Sequence, residues 1–152
     1  YGDHRDLHRV DRRQRQMCIR DSLNIGIIGK YTSLEDSYLS VKEALMHAAV
    51  NQELNLKIDW ILSDEIEQSD LDKVLGKLSG IVIPGGFGPR GIDGMVRCAN
   101  YARTKSIPYL GLCLGMQIMV IEYARNVLNL KDANSSGISS DELIRSALRA
   151  MK

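Results

Sequence analysis

Cysteine is scarce in this 152-residue sequence, and its placement excludes the common metal and disulfide frameworks. The three cysteines, Cys18, Cys98 and Cys113, lie far apart, and no Cys-x-x-Cys pair occurs. An odd number of widely spaced thiols is typical of a protein from a reducing compartment. We therefore expect neither a structural disulfide nor a bound metal ion.

Long apolar runs and an excess of one charge are also missing. No segment approaches the ~18 apolar residues of a membrane span, and the N-terminus lacks the apolar stretch of a secretory signal. The 20 basic and 19 acidic residues give a formal net charge of +1, so nothing indicates a nucleic-acid or membrane partner. We expect a cytoplasmic protein, and 44% hydrophobic residues suffice for the core of one domain.

Residues 1–22 differ from the rest of the chain. They hold six Arg against four Asp, which leaves 14 basic and 15 acidic residues in the remainder. They show neither a strand nor a helix period, and their few apolar residues cannot offset the entropy of ordering them. We predict a disordered flank that resembles translated adaptor sequence and set His4, His8 and Cys18 aside with it. The alternative is a basic arm that contacts phosphates.

Four short apolar stretches predict buried strands at residues 23–29, 56–62, 80–84 and 107–113. Helical spacing predicts a first helix capped by Asp36 or Ser37, further helices at 66–78 and 95–103, and a last one from Leu114. The residues predicted to share a helix face are Tyr38, Val41, Leu45 and Ala48 in the first helix and Leu114, Ile118, Ile121 and Leu128 in the last.

Alternating strands and helices predict an α/β fold with a doubly wound, mostly parallel sheet. Functional sites in such sheets gather at the carboxyl ends of the strands. Two unusual segments lie at such ends, namely the glycine-rich turn 84–91 and the turn around Cys113. We therefore place the candidate site there.

Gly111 and Gly115 flank Cys113 at a predicted strand-to-helix turn. Such a turn crowds the backbone, and small residues two before and two after a nucleophile relieve the crowding. The start of a helix also favours thiolate over thiol, and the amide of Leu114 would face a developing oxyanion. The alternative is a buried structural cysteine, which is the role we predict for Cys98.

Gly85 and Gly86 offer a second backbone donor at the neighbouring strand end. Without side chains there, the chain can approach a ligand and turn an N–H group toward it. Gly86 and Leu114 would then hold the oxyanion of an acyl-transfer intermediate, each donor contributing ~3 kcal/mol. The glycine turn alone is also compatible with a phosphate cradle or with a plain turn.

The segment GLCLGMQ, residues 111–117, resembles the nucleophile motif of class I glutamine amidotransferases. Together with it, GKYTSLEDSYLSVKEAL, GIVIPGGFGPRGIDG and IMVIEYARNVL followed by DANS are more similar to the glutaminase domain of the CTP synthase family than to those of anthranilate, carbamoyl-phosphate or GMP synthesis. The resemblance covers residues 23–136. It implies a flavodoxin-like sheet that is truncated on its C-terminal side.

The resemblance implies that Cys113 attacks the side-chain amide of L-glutamine, releases ammonia and is freed by water as glutamate leaves. It implies an oxyanion hole of Gly86 and Leu114 and places Arg90 and Gly91 in a flanking loop, although a merely solvated Arg90 is the alternative. This chain would need no cofactor, because ATP and Mg²⁺ belong to a synthetase domain that converts UTP to CTP within a homo-oligomer. The implied glutamine-binding residues are Gly85, Gly86, Phe87, Leu114, Gly115, Met116 and Gln117.

Two departures from the family pattern limit the expected activity. The family's general base is a His oriented by a Glu, both later in the domain, whereas the last His here is His47, predicted to be a partly exposed helix residue. Residues 137–152 replace a Thr-Glu-Phe-like segment with a divergent amphipathic helix. We expect an inactive fragment. The alternatives are another class I amidotransferase, a hydrolase with a similar nucleophile turn, and a degenerate domain that binds glutamine or a regulatory partner.

Overall fold

The computed structural model describes residues 22–135, so the predicted helix of 137–152 and all but the last residue of the predicted flank lie outside the described residues. That last residue, Ser22, belongs to the first strand. The strands are β1 (Ser22–Gly29), β2 (Asn55–Leu62), β3 (Gly80–Ile83) and β4 (Tyr109–Gly111). They form one sheet in the order β2-β1-β3-β4, and all three pairings are parallel, as predicted.

Five α-helices lie between or after these strands within residues 22–135. A 3-10 helix (Glu35–Tyr38) precedes α1 (Leu39–Asn51) between β1 and β2. The other helices are α2 (Ser63–Ile66) and α3 (Leu71–Leu75) before β3, α4 (Ile92–Lys105) before β4, and α5 (Leu114–Asn126) after it. None of the helices in this part of the chain combines the length and apolar composition that crossing a bilayer requires.

Helices cover both faces of the sheet, because alternate residues of a strand point to opposite sides. In β3, Val82 packs in one apolar cluster, whereas Ile81 and Ile83 pack in the other. Val41 and Leu45 of α1 pack against the first cluster. Residues of α2 to α5 form most of the second. The sheet is therefore doubly wound, and the predicted fold class is confirmed.

The predicted cap of the first helix is wrong. Tyr38, rather than Asp36 or Ser37, is the N-cap of α1, and no side chain bonds to the free amides there. The Tyr38 ring is buried against Gly29, and its hydroxyl accepts a hydrogen bond from the Tyr31 amide at 3.3 Å. These contacts hold the preceding residues in a 3-10 turn, so the regular helix starts later than the capping residues indicate.

The middle helical pattern and one position of α1 also differ from the prediction. The chain at 66–78 forms parts of two short helices, and the Asp70 carboxylate accepts a hydrogen bond from the Asp72 amide to start the second, α3. Asp is a strong N-cap residue, so it begins a new helix where the apolar period is too weak to sustain the old one. Ala48 is exposed, and Ala49 takes the buried position on α1.

β4 and α5 end earlier than predicted. The strand predicted at 107–113 covers only Tyr109–Gly111. It starts late because Pro108 has no amide to donate to the ladder, and it ends early because the chain turns at Cys113 into α5. α5 ends at Asn126, where the chain turns and the Leu128 amide donates to the carbonyl of Tyr123 at 3.2 Å. Leu128 is therefore 57% exposed, and its predicted burial is wrong.

A buried carboxylate joins α4 to α5. Glu122 of α5 is 2% exposed, and Arg103 of α4 donates to both of its oxygens at 2.9 to 3.1 Å. Asn100 and Asn126 donate to the same group at 2.8 and 3.1 Å. Burial raises the pKa of Glu122, but these hydrogen bonds outweigh burial and hold the pKa below its usual value. The network fixes α5 against α4.

We expect Glu122→Gln to lower the free energy of unfolding at pH 7 by about 1–3 kcal/mol, since the charge-assisted hydrogen bonds lose their anion. A lowered folded-state pKa contributes stability that is present above the unfolded-state pKa and is lost as pH falls through the folded-state value. Urea unfolding should therefore show an advantage of the wild type at pH 7 that shrinks as the pH falls below the ordinary glutamate pKa of about 4.3 and is lost below the lower folded-state pKa.

The exposed Glu43 of α1 provides the matched control. Glu43→Gln should change the free energy of unfolding by less than about 0.5 kcal/mol at either pH. Equal effects of the two substitutions, or a wild-type advantage that persists in acid, would contradict the assignment of the network to Glu122.

Candidate active site

Three segments meet at the carboxyl edge of the sheet. Lys30 follows β1, the glycine-rich turn 84–91 follows β3, and Cys113 lies just after β4. These strands are neighbours, and the strand order reverses between β1 and β3. In doubly wound sheets, ligands bind in the crevice at such a reversal.

Cys113 occupies a backbone conformation that residues with side chains rarely adopt. It is the N-cap of α5, with φ 53° and ψ −104°. The amide of Leu112 donates to the carbonyl of Ile83 at 2.9 Å, which ties the turn to the end of β3. Cys113 itself is exposed. The strained turn therefore places the thiol at the sheet edge and outside the core.

Gly111 and Gly115 allow α5 to start so close to the sheet. A methyl group at Gly111 would lie 2.4 Å from the carbonyl carbon of Gly115, and one at Gly115 would lie 2.0 Å from the carbonyl oxygen of Ile83. The Tyr109 hydroxyl also donates to the Gly115 carbonyl at 2.7 Å. These contacts are with backbone atoms, which cannot move aside as the end of a flexible side chain can. The predicted crowding of the Gly-x-Cys-x-Gly turn is therefore confirmed.

The two glycines of the neighbouring turn face this segment. A methyl group at Gly85 would lie 3.6 Å from the Cβ atom of Cys113, and one at Gly86 would lie 3.2 Å from a methyl carbon of Leu114. Within residues 22–135, the amides of Gly86 and Leu114 have no acceptor among the protein's own groups. The structure thus places the diglycine segment beside Cys113 and the start of α5.

The other residues that the resemblance implies in glutamine binding differ in how exposed they are. Phe87 is 82% exposed, and Met116 is half exposed on the first turn of α5. The side-chain oxygen of Gln117 accepts a hydrogen bond from the Ser135 hydroxyl at 2.9 Å. Gly115 is buried, so it shapes the turn rather than presenting a surface.

Lys30 is a site residue that the sequence reasoning missed. It is 2% exposed, and its Nζ atom donates to the carbonyl of Phe87 at 3.0 Å and to that of Gly88. Burial, and secondly the nearby Arg90, lower the pKa of Lys30, while Asp64 acts in the opposite direction. The available signal was a lysine directly after the first buried strand, because side chains at that end of a strand face the crevice.

Arg90 is engaged by the protein, although more than half of its side chain is exposed. It donates to the carbonyl of Lys30 at 2.7 Å and pairs with Asp64 at 3.6 Å. Gly91 follows with φ 68°, and a methyl group there would lie 2.1 Å from the hydroxyl oxygen of Ser63. The far end of the glycine turn is therefore fixed against β1 and α2.

Two residues outside the site have the roles predicted for them. Cys98 is fully buried in α4, and burial raises its pKa to about 12. His47 is exposed on α1. Within residues 22–135, no three His, Cys, Asp or Glu side chains are grouped in a way that could hold a metal ion.

Comparison with known proteins identifies similar sequences. A family model described as glutamine amidotransferase class-I matches residues 33–144. A CTP synthase of Carboxydothermus hydrogenoformans is 55% identical over 119 residues, which are 78% of this chain and 22% of that protein. A CTP synthase of Thermus thermophilus is 51% identical over 76% of this chain and 21% of that protein. One of Pyrococcus abyssi is 50% identical over 80% and 22%.

The fold has a close relative among solved structures. The structure of a Trypanosoma brucei CTPS glutaminase domain with bound acivicin superimposes with a TM-score of 0.71 and 40% sequence identity. The match covers 78% of this chain and 47% of that one. The chain thus spans about a fifth of the length of the curated relatives it matches.

We expect Gly111→Ala and Gly115→Ala each to lower the free energy of unfolding by at least about 2 kcal/mol, because the added methyl groups meet backbone atoms. Gly85→Ala is the matched control. Its methyl group would make only an ordinary contact at 3.6 Å, so it should cost less than about 1 kcal/mol. Urea titration measures all three, and similar values for Gly115→Ala and Gly85→Ala would refute the close approach of α5 to β3.

Iodoacetamide at pH 8 should modify Cys113 in the folded protein and leave Cys98 intact. Cys113 is exposed, whereas burial raises the pKa of Cys98 to about 12 and shields its sulfur from the reagent. Peptide mass spectrometry before and after unfolding in urea measures both sites. Comparable modification of the two cysteines in the folded protein would contradict their assignment to surface and core.

Proposed function

Because the chain belongs to the class I glutamine amidotransferase family, we propose that it is part of the glutamine-hydrolysing domain of a CTP synthase and that Cys113 is the nucleophile of that domain. The observation that carries the proposal is the exposed Cys113 at the strained start of α5, beside the glycine turn. A structural cysteine needs neither exposure nor strain, as the buried Cys98 illustrates.

The proposed reaction is acyl transfer through a thioester. The Cys113 sulfur attacks the carbonyl carbon of the glutamine side-chain amide and forms a tetrahedral intermediate. The carbon–nitrogen bond then breaks, and the nitrogen leaves as ammonia with the proton that the thiol has lost. Water attacks the resulting thioester, the carbon–sulfur bond breaks, and glutamate and the free thiol are formed.

The negative charge of both tetrahedral intermediates needs fixed donors. We assign this role to the amides of Gly86 and Leu114, whose donors are not used by the described part of the chain. The Leu114 side chain is buried, so the amide at the start of α5 is held in place. Backbone donors of this kind contribute ~3 kcal/mol each, and the positive end of the α5 dipole adds to their effect.

Substrate recognition is assigned to the surface around the thiol. Gly85 leaves space beside the sulfur, because its missing side chain would contact Cys113. Phe87 and Met116 are exposed apolar side chains that can cover the methylene groups of glutamine. Gln117, held by its hydrogen bond to Ser135, supplies a polar group at the edge of the same surface.

The ammonia requires an acceptor elsewhere in the intact protein. The matched CTP synthases are several times longer than this chain, which covers 21–22% of three of them. We propose that their remaining part contains the rest of the glutaminase domain and an ATP- and Mg²⁺-dependent synthetase domain that joins the ammonia to UTP and yields CTP. A cytoplasmic homo-oligomer completes the proposal, while the cysteine chemistry itself uses no cofactor.

A domain that binds glutamine without hydrolysing it is the second candidate. Hydrolysis of the thioester needs a general base, and His is the usual one. The last His of the 152 residues is His47, which is exposed on α1, away from the strand ends. For this polypeptide alone we therefore propose a single acylation of Cys113 with release of ammonia but no turnover, whereas a domain that only binds glutamine would not be acylated.

Acivicin, the compound bound in the Trypanosoma brucei glutaminase domain, should form a covalent adduct at Cys113, and L-glutamine should slow its formation. Steady-state release of glutamate by the 152-residue chain should be absent, because no His follows Cys113 in these residues to activate the water that frees the thioester. Intact-mass and peptide mass spectrometry measure the adduct, and a coupled assay measures glutamate.

Cys113→Ala should abolish the adduct, whereas Cys98→Ala should leave its rate unchanged. If the wild type gives no adduct at Cys113, the proposed nucleophile is wrong. Glutamate release that disappears in Cys113→Ala would instead show that the chain completes the reaction by itself.

A further inference from the structure

The amine of Lys30 bonds to the backbone of the glycine turn rather than to a carboxylate. Its Nζ atom donates to the carbonyls of Phe87 and Gly88. Among residues 22–135, no carboxylate oxygen is paired with it, and only 2% of the residue is exposed. A buried ammonium group is costly unless strong acceptors surround it. The position therefore calls for an explanation beyond packing.

The carbonyls that Lys30 holds lie directly after Gly86 in the chain. Each peptide group is planar, so fixing the carbonyls of Phe87 and Gly88 fixes the two peptide groups that follow Phe87 and Gly88. With one end held, the backbone at Gly86 has less room to move. Gly86 has no Cβ atom and would otherwise be free to rotate. The Cδ and Cε atoms of Lys30 lie 3.5 and 3.8 Å from the position that a Cβ atom of Gly86 would occupy, so the Lys30 side chain packs against Gly86.

Arg90 closes the arrangement from the other side. It lies on the same turn as Gly86 and donates to the carbonyl of Lys30 at 2.7 Å. Its second contact, to Asp64 at 3.6 Å, anchors it to the start of α2. The Lys30 side chain thus bonds to the backbone of the turn, and the Arg90 side chain of the turn bonds to the backbone of Lys30.

We infer that Lys30 is a positioning residue, which keeps the amide of Gly86 directed at the Cys113 thiol. The inference rests on the proposed function, in which Gly86 donates to the oxyanion. In this role Lys30 acts through the glycine turn, to which its amine is bonded. If Lys30 only packed against Gly86, an apolar side chain of similar length would serve as well. If its hydrogen bonds hold the turn, the amine is required, and this difference can be measured.

Lys30→Met separates the two roles, because methionine retains most of the chain length and removes the donor. Chymotrypsin cleavage after the exposed Phe87 reports on the turn itself and should become at least about tenfold faster in the variant. Modification of Cys113 by acivicin should become at least about tenfold slower, as expected when an oxyanion donor is displaced. Iodoacetamide needs no oxyanion donor, so its rate at Cys113 should change by less than about twofold.

A rescue experiment distinguishes the amine from the shape of the side chain. Propylammonium added to Lys30→Ala should restore the acivicin rate at least partly, since it can donate to the same carbonyls. Tetramethylammonium has equal charge but no N–H group and should not restore it. Lys73→Met, at an exposed position of α3, should change none of these rates.

The inference is overturned if Lys30→Met leaves cleavage after Phe87 and the acivicin rate unchanged, or if acivicin and iodoacetamide slow equally. Equal slowing would indicate general damage to the site. If acivicin does not modify the wild type at all, the proposed function fails. Cleavage after Phe87 then still decides whether Lys30 holds the turn, since faster cleavage supports this and an unchanged rate refutes it.

Discussion

The contact between the start of α5 and the end of β3 determines the geometry of this protein's site. Gly115 lies so close to the carbonyl of Ile83 that a single methyl group would overlap it. The Leu112 amide bonds to the same carbonyl, so the chain must turn sharply between the strand and the helix. Cys113 takes the strained position of that turn and is exposed as a result.

Most of the proposed chemistry depends on backbone groups, and side chains hold those groups in place. The donors assigned to the oxyanion are amides of Gly86 and Leu114, while Lys30 braces the first of them from a buried position. Farther along α5, the bonds between Glu122 and Arg103 fix the helix against α4. Residues distant from the sulfur thus contribute to its placement through rigid elements.

The sheet and the crowded turn around Cys113 could be predicted from the sequence for one physical reason. Buried parallel strands require continuous apolar runs, and close backbone contacts require glycine, so both features can be recognised in the amino-acid sequence. The segment from Gly111 to Gly115 is the clearest case, because two glycines at fixed spacing matched two close contacts in the structure.

Features that depend on tertiary contacts could not be predicted from the local sequence. The start of α1 depends on the packing of the Tyr38 ring, which no local capping signal reveals. The end of α5 depends on a backbone turn, so an apolar residue such as Leu128 could be assigned to the wrong side of it. Lys30 was missed because its partners are carbonyl groups 57 and 58 residues away, and no side-chain pattern reports such bonds.

The most direct test of the proposed site is a crystal structure of the protein after treatment with acivicin. We predict a covalent bond to the sulfur of Cys113 and an acceptor atom of the bound compound about 2.7–3.2 Å from the amide nitrogens of both Gly86 and Leu114. A compound attached to Cys113 but directed into solvent, with both amides unoccupied, would contradict it.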